Sequence, residues 1–254
     1  MGVPTDIFIG PVQIHLYSIF FGLGIFTAFV IARRAAHDLQ INIIKFDQTV
    51  LFAIILGIFG ARAFFVLGAS ENYYFDKLSI LKFWEGGLAF YGGVIGGLLG
   101  LLLGKYLFKI SFLKILDSVS LGVPFGQAIG RLGNFFNQEA YGRPIESGFG
   151  IYIAREKRLL GYESFDFFQP AFLYESLGLI IIFVSLRLLW PRLKDNLLLT
   201  FSLFAILTGT LRYFIEEIRL DALKFGSLMI SQLVAIVLIS LGVLILSLYA
   251  RKIS

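Results

Sequence analysis

Apolar stretches long enough to cross a bilayer dominate this sequence and leave little room for anything else. They cover residues 12–32, 46–67, 86–104, 112–130, 170–190, 197–215 and 226–250. A membrane-spanning helix needs about 20 predominantly apolar residues. The segments between the stretches are too short for a separate soluble domain, so an anchored soluble enzyme is excluded. The stretches run solid instead of alternating, which argues against a transmembrane β-barrel. Composition agrees: of 254 residues, 57% are hydrophobic and 15% charged, against roughly a quarter charged in soluble domains. The sequence predicts an all-α multi-pass membrane protein, one transmembrane domain of seven helices over 1–254.

Orientation follows from the basic residues. Short loops on one side carry Arg33-Arg34, Lys105, Lys109, Arg192 and Lys194, and the chain ends in Arg251-Lys252. The opposite side carries most of the acids and the long mixed stretch 131–169. Short, clean basic loops mark the cytoplasmic face. The expectation is N-terminus out and C-terminus in, with 131–169 forming an extracytoplasmic segment and small cap. Apolar patches at 149–154 and 165–168 give that cap strand or hairpin character. The first run is not read as a cleaved signal peptide, because no Lys or Arg precedes it and Arg33-Arg34 follows it. With no cysteine, the chain has no disulfide, thiolate metal site or cysteine nucleophile of its own. His15 and His37, far apart, make a metal centre improbable. The net charge of +5 is assigned to topology and anionic lipid, with no nucleic-acid partner. There is no Gly-rich phosphate loop, so no nucleotide and no cofactor are expected.

Ionisable groups within apolar spans are costly, and each is a functional candidate by default. Thr208, Arg212, Glu216 and Arg219 fall on one helical stripe. Two readings stand: a helix end where Arg212 pairs with Glu216, or an anion site, since a guanidinium offers a planar fork that fits phosphate. A second cluster, Gly130-Arg131-Leu132-Gly133-Asn134-Phe135-Phe136-Asn137-Gln138-Glu139 and Gly142, follows an apolar run. It reads either as a polar helix cap or as a binding site. Around Tyr91, glycines recur at intervals of four, Gly92, Gly96, Gly100 and Gly104, a spacing that favours close helix packing. Gly86 and Gly87 are candidates for a re-entrant loop. His15 and Tyr17 read first as interfacial residues and Arg62 as a snorkelling anchor, whereas Asp117 has no stem to snorkel with and calls for a buried partner, met by hydrogen bonding or by pairing with an arginine.

The cluster at 130–142 resembles the hallmark motif of bacterial prolipoprotein diacylglyceryl transferases. The resemblance extends in order along nearly the whole chain. It takes in Gly10-Pro11-Val12 with His15 and Tyr17, Gly60-Ala61-Arg62, and Trp84-Glu85-Gly86-Gly87-Leu88-Ala89-Phe90-Tyr91-Gly92-Gly93. It continues through Gln169-Pro170, Leu173-Tyr174-Glu175 and Leu211-Arg212-Tyr213-Phe214-Ile215-Glu216 with Arg219.

The resemblance implies transfer of the diacylglyceryl group of phosphatidylglycerol to the lipobox cysteine thiol of a prolipoprotein signal peptide, with release of glycerol phosphate. It implies a bacterial cytoplasmic (inner) membrane location, with the active site toward the extracytoplasmic half. The nucleophile arrives with the substrate, so a chain without cysteine suffices. By the same resemblance Arg131 and Arg212 clamp the phosphate. Asn134 and Asn137 orient the headgroup, Glu139 and Glu216 hold the arginines or accept a headgroup hydroxyl, and Gly142 lets the backbone turn. Tyr17, Asp117, Arg62 and Arg219 match binding positions. Tyr91 stands where many members have His, so the base for the thiol is unassigned. Ser18, Thr208, Gln169 and the missing proline before Asp221 also depart from the common pattern. A small-anion transporter using Arg62, Arg131 and Arg212 is the rival function.

Overall fold

The computed structural model describes residues 5–10, 12–68, 87–146, 148–222, 224–225 and 228–253. Among the described residues seven helices follow in chain order: α1 (Leu16–Asp38), α2 (Ile43–Gly68), α3 (Phe90–Leu107), α4 (Phe112–Asn137), α5 (Ala171–Leu193), α6 (Leu199–Ile218) and α7 (Ile230–Ile253). Six are long and apolar enough to cross a membrane, all but α4. The architecture is that of a multi-pass membrane protein. Helix α4 carries Lys114, Asp117 and Arg131, which explains its lower hydropathy.

Three antiparallel hairpins qualify the all-α expectation: β1 (Asp6–Ile9) with β2 (Val12–His15), β3 (Ile151–Tyr152) with β4 (Phe167–Phe168), and β5 (Lys224–Phe225) with β6 (Leu228–Met229). The first corrects the start of the first apolar run, whose residues 12–15 are strand. Gly10, at φ +59°, supplies the left-handed turn conformation that only glycine adopts freely. The register pairs Asp6 with His15, and the carboxylate and imidazole meet in a short side-chain hydrogen bond. His15 is thereby a hairpin latch. The second hairpin joins the two apolar patches read from 149–154 and 165–168, with Ile151 opposite Phe168. The third takes Leu228 and Met229 of the last apolar run, so α7 starts at Ile230.

The chain divides into two compact units, Arg33–Leu116 and Met1–Ala32 with Asp117–Ser254. In the first unit α2 packs on α3 through small residues. Gly92, Gly96, Gly100 and Gly104 are all buried along one edge of α3. A methyl group on any of them would strike α2, at Gly60, Leu56, Ala53 and Thr49 in turn. Such contact lets backbones approach closely where lipid provides no hydrophobic drive for association. Arg33 is tied to Asp47 at 2.9 Å, and Lys114 donates to the Leu39 carbonyl at 3.0 Å, holding the ends of this unit together.

In the second unit α1 and α4 approach closely at Gly24 and Gly126, α5 and α6 at Gly178 beside Leu211, and α6 and α7 at Gly209 and Gly242. The C-terminal ends of α4 and α6 lie with the N-terminal ends of α5 and α7, because the hydrogen bonds of the site below join them. Between α4 and α5 the chain forms a small cap. Tyr141, Ile153 and Phe168 make its core, with Ile151, Leu159, Tyr162 and Leu220 packed around them. Arg158 locks its loop by donating to the carbonyls of Ile153 and Glu163 at 2.8 Å and to Asp166 at 2.6 Å.

Candidate anion site

The apolar run read as ending at Gly130 belongs to a helix that continues to Asn137. Arg131, Asn134 and Asn137 are therefore helical and project from the last turns of α4. The helix stops at Gln138, whose φ of 54° is left-handed, and the amides of Gln138 and Glu139 return to the carbonyls of Phe135 and Asn134. This reversal carries Glu139 back over the helix end. Its Oε1 accepts from Asn134 Nδ2 at 2.8 Å and from Asn137 Nδ2 at 3.2 Å. The Gln138 side chain is buried and accepts the Ala154 amide at 2.6 Å, fastening the helix end to the cap.

Arg131 donates through Nη2 to Glu175 Oε1 at 2.9 Å. Glu175 sits early in α5 and is 7% exposed. It also receives Arg212 Nη1 at 3.3 Å on both oxygens. One carboxylate thus bridges two guanidinium groups from α4 and α6. Arg212 has two further anchors. Its Nη2 lies 2.5 Å from Glu216 Oε2 one helical turn on, a close charge pair without the alignment of a good hydrogen bond, and donates to Ser231 Oγ of α7 at 3.1 Å. Glu216 is almost wholly buried, whereas Arg131 and Arg212 each keep 24% of the side chain exposed. The result is a pair of partly accessible guanidinium forks whose carboxylates lie behind them, among helices that exclude most water.

Arg219 follows the end of α6 and grips Asp221 with two parallel bonds of 2.8 and 2.7 Å. Burial works against its charge, but the bonds to Asp221 and the charges of Asp221, Glu175 and Glu216 outweigh it and hold the guanidinium above its ordinary range. Its backbone bridges to Gly142, whose amide donates to the Gln169 carbonyl at 2.8 Å. A side chain on Gly142 would collide with Ile218 and Gln169, so glycine here lets the motif loop close on α6. In the cap below, burial pushes the Tyr141 phenol up, against the pull of the Leu159 amide that donates to its oxygen.

The structure brings together Arg131, Asn134, Asn137, Glu139, Gly142, Arg212, Glu216 and Arg219. Tyr17 joins them from the start of α1, packed on Gly133 and within electrostatic reach of Glu139 and Arg131. Asp117 is not among them, lying about 21 Å along α4 from Arg131 at about 1.5 Å per residue. It accepts the amides of Leu198 at 2.6 Å and Phe201 at 2.9 Å and so caps α6 from another helix. The buried partner it called for is a helix N-terminus, not an arginine. Thr208 lies one turn before Arg212 on α6, and its hydroxyl donates to the Phe204 carbonyl at 2.6 Å.

Arg62 and Tyr91 belong to the other unit. Arg62 corrects the snorkelling reading: it is fully buried, donates to the Gly87 carbonyl at 3.3 Å and lies over the Phe65 ring. Tyr91 is half-buried in the first turn of α3, edge-on to Phe90. Gly87 has a left-handed φ of 71°, while Trp84, Glu85 and Gly86, like Pro11, lie outside the described residues. Sequence reasoning assigned no role to Glu175, although an acid inside the fifth apolar run was visible. Ser231 carried no such signal.

These features define a class: a polytopic membrane protein with a carboxylate-backed pair of arginines, a candidate anion site, where the ends of four helices meet. The model of the prolipoprotein diacylglyceryl transferase family matches residues 4–248, and the chain belongs to that family. It is similar to the phosphatidylglycerol--prolipoprotein diacylglyceryl transferase of Fervidobacterium nodosum, 40% identical over 238 residues, covering 92% of this chain and 80% of that one. The Thermotoga maritima protein of the same name is 37% identical over 236 residues, with the same coverage. That of Trichormus variabilis is 35% identical over 257 residues, covering 98% of this chain and 90% of its own.

Proposed function

We propose that this chain transfers the diacylglyceryl group of phosphatidylglycerol to the cysteine thiol of prolipoproteins. It is a transferase of lipoprotein biosynthesis. The sulfur attacks the glyceryl carbon that carries the phosphate, a carbon–sulfur bond forms, and the carbon–oxygen bond breaks. The bond's electrons leave with glycerol phosphate, and the thiol proton passes to a base. The single observation that carries this reading is the pair of partly exposed guanidinium forks, Arg131 and Arg212, turned toward one point by Glu175. A phosphodiester bears one negative charge and gains a second as it departs. Two preorganised forks in a water-poor site stabilise that gain. Asn134 and Asn137, sharing Glu139, orient the glycerol headgroup, and the exposed Glu139 accepts one of its hydroxyls. Tyr17 lines the same end, and Gly142 and Arg219 hold the motif loop against α6.

The finer topology belongs to this reading. Helix α4 is the seventh span, because each charge on it has a protein partner: Lys114 the Leu39 carbonyl, Asp117 the α6 amides, Arg131 the Glu175 carboxylate. The N-terminus is out and the C-terminus in. The site and its cap face the extracytoplasmic side of the cytoplasmic membrane, where the lipobox cysteine of a signal peptide emerges. Nothing in the family match supports a small-anion transporter.

Detergent-purified protein incubated with phosphatidylglycerol and a lipobox peptide should add a diacylglyceryl mass to the peptide. A Cys→Ser peptide should gain none. Flux of anions into liposomes with no mass gain would overturn the reading. The base that takes the thiol proton is left unassigned in this scheme, and substitution of Tyr91 tests whether its hydroxyl has that part. Tyr91→Phe should lower the rate by less than about tenfold, short of the roughly 10²–10⁴-fold that a general base contributes. A loss of a thousandfold would make the phenol the proton carrier.

A further inference from the structure

Guanidinium forks built to hold a phosphate must be held by something when no phosphate is there. In this chain that something is Glu175. The carboxylate presents two oxygens in one plane, the same edge that a phosphate offers an arginine fork. Both oxygens are taken, Oε1 by Arg131 and Arg212 together and Oε2 by Arg212.

The two arginines are not held alike. Arg212 keeps Glu216 and Ser231 whether or not Glu175 lets go. Arg131 donates to Glu175 through Nη2 and has no second hydrogen-bond partner among the described residues. One fork is therefore fixed and the other is free to re-aim. An anion between them would sit beside Glu175, and two like charges at hydrogen-bond distance repel strongly. They do not share the forks equally.

We propose that Glu175 is an internal stand-in for the phosphate. It occupies Arg131 and Arg212 between turnovers and yields them to the arriving phosphodiester. It then recaptures them as glycerol phosphate leaves. Glu175 is a positioning residue in this account, acting on substrate through the arginines, and it rests on the function proposed above. A carboxylate serving only as a strut would stabilise the bundle without competing with anions. Competition is therefore the property to measure.

The full chain in detergent is titrated with glycerol phosphate and with inorganic phosphate. Binding is read by calorimetry, and inhibition of transfer is read in parallel. Glu175→Gln keeps the shape and removes the competing charge. It should bind both anions at least about tenfold more tightly, or about 1.4 kcal/mol. KM for phosphatidylglycerol should fall, and kcat should fall with it as product release slows, leaving a first-turnover burst. Glu175→Asp, one methylene shorter, spans both arginines less well and should show tightening of about threefold. Asp retains charge and hydrogen-bonding capacity, so it carries the test alone should the Gln variant fail to fold. Anion affinity unchanged from the native protein in a folded variant, with only thermal stability lowered, overturns the proposal. The anion titration needs no transfer activity. A native protein that transfers nothing would sink the proposed function and leave the stand-in to be decided by binding. Normal transfer with unaltered anion affinity in the variants would sink the stand-in alone.

Discussion

The α2–α3 seam and the cluster shared by α4, α5, α6 and α7 solve opposite problems with opposite residues. The seam has almost no side chain in it. Gly92, Gly96, Gly100 and Gly104 lie against the backbone or short side chains of α2, and its strength is close van der Waals approach. The cluster has long charged side chains where a bilayer protein can least afford them, and each of its arginines is matched: Arg131 and Arg212 by Glu175, Arg212 again by Glu216, Arg219 by Asp221. A region that only has to hold can be made of hydrogen-sized side chains. A region that must receive an anion has to keep positive charge desolvated and ready, and needs carboxylates to make that tolerable. Substitutions in the seam should therefore be felt as stability, and substitutions in the cluster as chemistry.

The largest expected effect falls on the cluster. Arg131→Ala should cut diacylglyceryl transfer by about 10²–10³-fold, the range found when one donor to a developing oxyanion is removed. Its melting temperature should stay close to that of the native protein, because Glu175 keeps Arg212 as partner. Transfer to a lipobox peptide, read by mass, checks the first claim, and a thermal melt the second. Near-normal transfer by purified Arg131→Ala would break the comparison at its charged end.

Next comes the seam. In Gly96→Val the new side chain would meet the Leu56 carbonyl and the Gly57 Cα, which belong to backbone and cannot swing aside. Overpacking of this kind costs about 1–3 kcal/mol or more. The folded yield and melting temperature should drop, with transfer per folded molecule far less affected than in Arg131→Ala. A stable Gly96→Val would show that the helices have slack.

How much of this was legible in the sequence depended on whether the partner was local. Span positions were legible because about 20 apolar residues in a row have few other fates. The glycine seam was legible because its spacing follows one helix edge. Three features were hidden. The strand at 12–15 was masked because Val12 and Ile14 are as apolar as the helix they precede. The helix end was placed at Gly130 because Arg131, Asn134 and Asn137 lower hydropathy, whereas backbone hydrogen bonding continues to Asn137. The role of Asp117 was hidden most deeply. Its partners are the amides of Leu198 and Phe201, and no side-chain pattern announces a backbone donor so distant in sequence. Arg131 and Arg212 stood out because they are charged and surrounded by oil. The carboxylate that joins them was written in the same oil and was passed over.

Asp117 offers a smaller test that separates the two kinds of role within one helix. Asp117→Ala removes the acceptor for the α6 amides, and losing such a cap costs about 1 kcal/mol. The melting temperature should fall by a few degrees, while KM for phosphatidylglycerol stays put. A raised KM without a stability change would move Asp117 from scaffold to binding site.

The smallest effect belongs to the cap, where a polar group again works as structure. Tyr141 is 3% exposed, and its ring packs on Phe168 with centroids 4.9 Å apart. Its hydroxyl donates to the Lys157 carbonyl at 3.0 Å and accepts the Leu159 amide at 2.9 Å. Tyr141→Phe keeps the ring and removes both bonds, at a cost of about 1 kcal/mol. The Leu159 amide should exchange with deuterium faster by about fivefold, and transfer should change by less than about twofold, since stability and not chemistry is touched. The hydroxyl also has a pH signature. Burial raises its folded value above the unfolded one. Its contribution is therefore whole below about pH 10 and is lost as the pH climbs through the raised folded value. Alkaline loosening of the cap, followed by exchange at Leu159, should be present in the native protein and blunted in Tyr141→Phe. Equal loosening in both would assign the alkaline step to another group and leave Tyr141 as packing alone.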